Sequence, residues 1–378
     1  MKKRKISHLV IGGVLLAAIL TAGISVLKSG WEKEYVVSAY LPLWKQWNSS
    51  EVKAKQLDIL YIAFADIGPD HKITFADKTY LEKIKALREA FPKLTICLAV
   101  GGYGCDGFSD AAASEENRNT FAKSVVSFIG QYQLDGVDLD WEFPVNGAWG
   151  TIKCRKEDKQ NFTSMLSSLR KGMDELGKET GKQYELSFAA ASADWGTQII
   201  EPDKVQRLVD RINLMSYDYT GYWATTTAHH SNLYKNSKSP YAVDINDSVK
   251  HYIASGIPAK KLVLGVPAYG RGWMGVTNKD NGLYQAAQNP IDNSKVDLSY
   301  ESLCKNYVNK NGYVRHWDEQ AEAPYLFNGD EFITYDDTKS VTIKMKYVKK
   351  HGLGGGMCWE YSQDPEGELT GAMHDALH

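Results

Sequence analysis

The 378-residue sequence predicts an α/β fold, a (β/α)8 TIM barrel with a small α+β insertion between strands 7 and 8. Three observations carry that reading. Eight short apolar runs recur along the chain, helical patterns fill the gaps between them, and one long polar interval breaks the rhythm late in the chain. Eight near-equal units favour a closed barrel over an open, doubly wound sheet.

The strand runs fall at 35–40, 57–65, 94–101, 136–143, 185–191, 212–217, 262–269 and 354–359. Most are almost continuously apolar, as expected of parallel strands covered on both faces. Between them, 120–133 sets Phe121, Val125, Phe128 and Ile129 on one helical face. Ser114 is its predicted N-cap, with Glu115 and Glu116 at the positive helix end. Stretches 157–176 and 339–350 read as helices too, the second closed by His351-Gly352. The interval 274–336, rich in Asn, Asp and Tyr, is too long for a structureless loop and reads as the α+β insertion. The barrel as a whole is expected to take residues 33–378.

Residues 1–30 read as a targeting segment. Lys2, Lys3, Arg4 and Lys5 precede a run, 6–27, without Lys, Arg, Asp or Glu. That is an export signal, long enough to remain as a membrane anchor and with only Thr21-Ala22-Gly23 as a small-residue cleavage site. Cleaved signal and retained anchor both stand as alternatives. Either way the remainder is expected outside the cytoplasm, secreted or tethered.

Composition narrows the function. A net charge of −2 provides no basic field for nucleic acid. Five cysteines lack CxxC spacing, which argues against zinc or thioredoxin-type chemistry; Cys97 and Cys358 read as small core residues. Gly102-Tyr103-Gly104-Cys105-Asp106-Gly107 has the spacing of a dinucleotide loop, but Asp106 would face the pyrophosphate and no helix opens at once. Ten Trp and 22 Tyr suit sugar stacking as well as core packing.

The chemistry is concentrated in Asp135-Gly136-Val137-Asp138-Leu139-Asp140-Trp141-Glu142. Side chains alternate along a strand, so Asp138, Asp140 and Glu142 share the inward face, and Val137, Leu139, Trp141 and Phe143 the outward one. Acids two residues apart lie about 6–7 Å from each other. At an effective dielectric of ~20 they repel by roughly 2.5 kcal/mol per pair. All three cannot be charged at neutral pH, and a retained proton is what a general acid needs. Glu142 is nearest the strand's C-terminal end, where barrel active sites lie, and is the expected proton donor. A metal site is disfavoured because Leu139 and Trp141 interrupt the acids where a calcium loop needs Gly and flexible spacing.

These residues resemble glycoside hydrolase family 18, the chitinase family, whose motif D-G-x-D-x-D-x-E is intact at Asp135–Glu142. The likeness continues at Met215-Ser216-Tyr217-Asp218, at Gly265-Val266-Pro267-Ala268-Tyr269-Gly270-Arg271, at Trp359, and at Trp317-Asp318 with Ala323-Pro324-Tyr325 in the insertion. The resemblance implies a retaining reaction in which the substrate's own N-acetyl oxygen attacks the anomeric carbon. It implies catalytic roles for Glu142, Asp140, Asp138, Tyr217 and Asp218. It implies substrate contacts for Tyr40, Phe64, Gly102, Tyr103, Trp141, Met215, Trp223, Tyr269, Arg271 and Trp359. Trp44, Trp223 and Trp273 follow strands one, six and seven and either line subsites or cap the barrel.

The expected substrate is chitin or chitooligosaccharide, cut internally by a monomer that needs no cofactor and no metal. The same fold and motif also serve N-acetylglucosaminidases of peptidoglycan or glycoprotein glycans. Non-catalytic binding relatives lose the last acid of the row, and Glu142 is present. Two departures from the family pattern matter. Where the family has S-x-G-G-W this chain has Ala99-Val100-Gly101-Gly102-Tyr103. The lost serine removes a hydrogen-bond partner for the buried acid, at about 1 kcal/mol, and Tyr103 offers a smaller stacking platform than Trp. Cys105 and Cys154 follow adjacent strands on the catalytic face, and a disulfide between them is an open alternative to free thiols.

Overall fold

The computed structural model describes residues 34–147 and 151–378. The targeting segment expected at 1–30 lies outside them. Among the described residues no helix is long and apolar enough to cross a membrane.

Eight parallel strands close into a barrel: β1 (Val36–Pro42), β2 (Ile59–Ile67), β4 (Thr95–Gly101), β5 (Gly136–Asp140), β6 (Glu185–Ala191), β7 (Arg211–Met215), β8 (Leu262–Pro267) and β14 (Gly355–Trp359). They pair in chain order, and β14 and β2 both pair with β1, which completes the ring. A two-residue strand, β3 (Ile73–Thr74), pairs antiparallel with the end of β2. All eight predicted runs form barrel strands. The fourth is shorter than its run, because β5 ends at Asp140 and leaves Trp141, Glu142 and Phe143 just beyond the sheet.

Helices Thr79–Ala90, Glu115–Gln131, Asp158–Thr180, Ile245–Ala254, Thr338–His351 and Glu368–Leu377 cover the barrel. Ser114 caps the second, its hydroxyl accepting from Asn117 N at 3.1 Å. Gly181 and Gly352 end the third and fifth with φ of +72° and +62°, a conformation in which glycine carries no Cβ penalty. The main apolar layer lies between strands and helices and includes Leu98, Val137, Leu139, Leu166 and Leu264. A second cluster fills the barrel itself, with Tyr40, Tyr61, Ala63, Cys97, Ala99, Val263 and Met357. Cys97 therefore packs inside the ring and Cys358 outside it.

The chain between β8 and β14 forms a five-stranded antiparallel sheet. Its strands are β9 (Arg271–Met274), β10 (Asn289–Pro290), β11 (Val314–Asp318), β12 (Ala323–Phe327) and β13 (Phe332–Thr334). It begins three residues earlier than the sequence suggested, since Arg271 already pairs with Thr334. Trp273 is fully buried there and donates to Ala224 O at 2.9 Å, so it is core rather than a cleft residue.

Candidate active site

Register places the acids. Asp138 on β5 lies between Ala99 on β4 and Ser187 on β6, and Asp140 lies beside Gly101. The Gly101-Gly102 turn is needed at that point. Its φ values are +116° and +95°; a Cβ on Gly101 would sit 2.2 Å from Asp140 O, and one on Gly102 would sit 2.6 Å from the Phe64 ring. Glycine lets the turn pass against the acidic strand, and Gly102 N donates to Asp140 O at 2.9 Å.

Asp138 is fully buried and fully partnered. Its Oδ2 accepts from Tyr40 Oη at 2.7 Å, and its Oδ1 accepts from Ser187 Oγ at 2.6 Å and Asn213 Nδ2 at 3.1 Å. Burial raises its carboxyl to about 6, and these three bonds hold it from going higher. The donor missing at Ala99 is thus supplied from the opposite seam. Ser187 and Asn213 were not singled out from sequence, although both are polar residues at inward positions of apolar runs.

Asp140 differs. It is buried, and its Oδ1 has no hydrogen-bond partner among the described residues. Burial, then the charges of Glu142 and Asp138, push it well above the usual carboxylate range. Glu142, partly exposed beyond the strand end, is raised to about 8 by burial and by the charge of Asp218. Two adjacent carboxyls thus favour their protonated forms near neutrality. Tyr217, two residues past β7, is raised by burial, then by Tyr269, Asp140 and Glu142, and stays a neutral donor.

Asp218 has a φ of +57°, one of the few left-handed conformations that Asp tolerates. Arg271 grips it with two bonds, Nε to Oδ1 at 2.8 Å and Nη2 to Oδ2 at 2.7 Å. Burial works against its charge, but His230 and Arg271 outweigh it and hold the carboxyl below the usual range. Arg271 also lies over the Tyr269 ring at 5.0 Å, and Tyr269 meets Tyr217 edge-on at 6.2 Å.

An aromatic row crosses the same end of the barrel. Trp44 stacks on Phe64 at 5.9 Å, Phe64 stacks on Trp359 at 5.7 Å, and Trp359 meets Tyr40 edge-on at 5.4 Å. Tyr103 and Trp223 are mostly exposed, and Met215 is half-buried at the end of β7. Peptides Ala63-Phe64, Glu142-Phe143 and Trp359-Glu360 are cis.

One expectation needs correction, and one open alternative is decided. Trp141 does not line the cleft. It is buried in the layer outside the barrel, stacked on Phe108 at 5.2 Å and edge-on to Phe162 at 6.0 Å. Strand alternation puts it there, one step out of phase with Asp140 and Glu142. Cys105 and Cys154 are free thiols. Their loops are tied instead by Asp106, whose Oδ1 accepts from Lys153 N at 3.2 Å.

Acids with raised proton affinity at the C-terminal end of one barrel strand define a (β/α)8 barrel with an acid–base centre. Its family follows from comparison. The family model described as glycosyl hydrolases family 18 matches residues 36–364, and the chain belongs to that family. It is 37% identical over 340 residues to Chitinase A1 of Niallia circulans, covering 84% of this chain and 49% of that protein. To Chitotriosidase-1 of Mus musculus it is 32% identical, covering 93% of this chain and 78% of that protein. The chain therefore spans about half the length of the bacterial relative. Among solved structures, a family 18 N-acetylglucosaminidase from Paenibacillus barengoltzii matches with a TM-score of 0.83 and 36% identity, over 90% of this chain and 99% of that one. Chitinase ChiA74 from Bacillus thuringiensis matches with a TM-score of 0.85 and 31% identity, over 91% and 70%.

Proposed function

We propose that this chain hydrolyses β-1,4 bonds of N-acetylglucosamine polymers with retention of configuration, using the substrate's acetamido group as nucleophile. The observation that carries this reading is Asp140, whose buried Oδ1 lacks a partner while its carboxyl favours a proton. The proton that its carboxyl favours makes it a poor nucleophile, and its unpartnered Oδ1 is free to accept an acetamido N–H. Glu142, protonated up to about pH 8, gives its proton to the glycosidic oxygen and then takes one from water. The acetamido carbonyl oxygen closes on the anomeric carbon to form an oxazolinium ion. Asp140 accepts the acetamido N–H, Asp138 shares the charge, and Tyr217 donates to the carbonyl.

Trp359, with Phe64 and Tyr40 behind it, floors the sugar; Tyr269, Arg271 and Asp218 bind its hydroxyls. Met215 and Gly102 shape the wall, and Tyr103 and Trp223 extend stacking along the chain. Trp141 has no part in binding. The protein acts outside the cytoplasm, as a monomer, on chitin or its oligosaccharides.

The test compares substrates with and without the acetamido group. N-acetylated chitohexaose should be cleaved, with the β-anomer as first product by proton NMR, and the fully de-N-acetylated hexamer should resist. Equal cleavage of both would contradict the mechanism.

A second reading has its own support, the near end-to-end likeness to the Paenibacillus N-acetylglucosaminidase. Release of single N-acetylglucosamine units from chitohexaose would favour it, whereas early tetramer and dimer would favour internal cutting. Activity on peptidoglycan or glycopeptide with none on chitin would replace the leading substrate.

A further inference from the structure

We propose that His230 is a positioning residue that keeps the Asp218 carboxylate available to a sugar hydroxyl, and that protonation of its ring withdraws that carboxylate. The inference deepens the functional reading above and rests on it.

His230 lies on the loop after β7 and is fully buried. Its backbone is fixed at both ends: N donates to Thr334 Oγ1 at 3.3 Å, and O accepts from Tyr219 N at 3.1 Å. The next residue is held as firmly, since Ser231 Oγ donates to Ser216 O at 2.8 Å and accepts from Lys344 Nζ at 2.7 Å. The ring therefore cannot leave with its loop. It meets Tyr269 edge-on at 5.4 Å and aims Nδ1 at Asp218 Oδ1 from 3.5 Å. That distance is too long for a formed hydrogen bond, and neither ring nitrogen has another partner among the described residues. A buried polar group left in this state calls for an explanation.

The neutral ring supplies one. It stands 3.5 Å from Asp218 Oδ1, while Arg271 makes the two short bonds to the carboxylate and lone pairs remain for a sugar hydroxyl. A protonated ring would make a charge-assisted bond to Oδ1 and compete with the sugar. The charged or titratable groups facing the ring are Asp218 and Tyr269, then Arg271, and Asp336 from the far side. Burial keeps the ring neutral below its ordinary range, with Asp218 opposing. The switch therefore falls on the acid side of ~6.5, the unperturbed value.

The test is binding of chitotetraose by calorimetry from pH 7 to 4.5, in the Glu142→Gln protein and in Glu142→Gln with His230→Gln. Asp138 and Asp140 titrate in both, so the difference isolates His230. The Kd of the single variant should rise at least fivefold more than that of the double variant. Should the double variant unfold, nitrogen-15 NMR of the His230 ring in the Glu142→Gln protein serves instead, and saccharide should lower the pH at which the ring takes a proton. An identical pH slope, or a ring titration that saccharide does not move, would overturn the inference alone. No binding by either protein at pH 7 would overturn the functional reading and the inference with it.

Discussion

Ser187 donates to Asp138 at 2.6 Å across the β5–β6 seam, in the register position that mirrors Ala99 on the other side. This bond lowers the proton affinity of an acid that burial has raised to about 6. Ser187→Ala should therefore raise it further. One lost bond of about 1 kcal/mol corresponds to roughly 0.7 of a pH unit. If the charged form of Asp138 supports turnover, the acidic limb of the kcat profile should move by about that amount toward higher pH. A pH–rate profile measures it.

Asp218 and Glu142 give the alkaline counterpart. The Asp218 charge is part of what raises Glu142 to about 8, so activity should fall as pH rises through that value and Glu142 loses its proton. In Asp218→Asn the charge is gone and Arg271 remains. Glu142 should then lose its proton at lower pH, and the alkaline limb should move down by about one unit. The limb of kcat/KM, followed from pH 6 to 10, reads this directly.

These two relationships mark where sequence reasoning succeeds and where it stops. Asp138, Asp140 and Glu142 were legible because one strand carries the first two and the third follows just past its end, and a period of two fixes the face they share. The barrel was legible because its strands are apolar on both faces. Ser187 and Asn213 reach Asp138 from other strands, so only the register brings them in. The signal available was a polar residue at an inward position of an apolar run. His230 reaches Asp218 through a loop that no periodicity describes. Trp141 shows the opposite error: strand alternation alone turned it outward, while family resemblance drew it into the cleft.

Trp141 and Trp359 should part company under mutation. Trp141→Phe thins the layer between Phe108 and Phe162 and should cost about 1–3 kcal/mol of stability. KM for chitooligosaccharides should stay within about twofold. Trp359→Ala should do the reverse, raising KM at least about tenfold with little loss of stability. Urea unfolding paired with steady-state kinetics on each variant separates the two.

Lys344 and Asp336 form a buried ion pair at 2.5 Å, both side chains almost wholly enclosed. Lys344→Ala leaves Asp336 buried without its counter-charge and should destabilise the protein by about 3–5 kcal/mol. Lys344→Met with Asp336→Leu should recover most of that loss, because an apolar pair of similar volume avoids the desolvation penalty. Denaturant midpoints of the single and double variants provide the check.

The central claim is that Glu142 holds a proton at neutral pH and delivers it to the glycosidic oxygen. The most direct measurement is kcat of Glu142→Gln on chitotetraose at pH 7, alongside Kd for the same saccharide. The account predicts at least a roughly hundredfold fall in kcat with Kd within about threefold of the native value. Turnover at the native rate would contradict it.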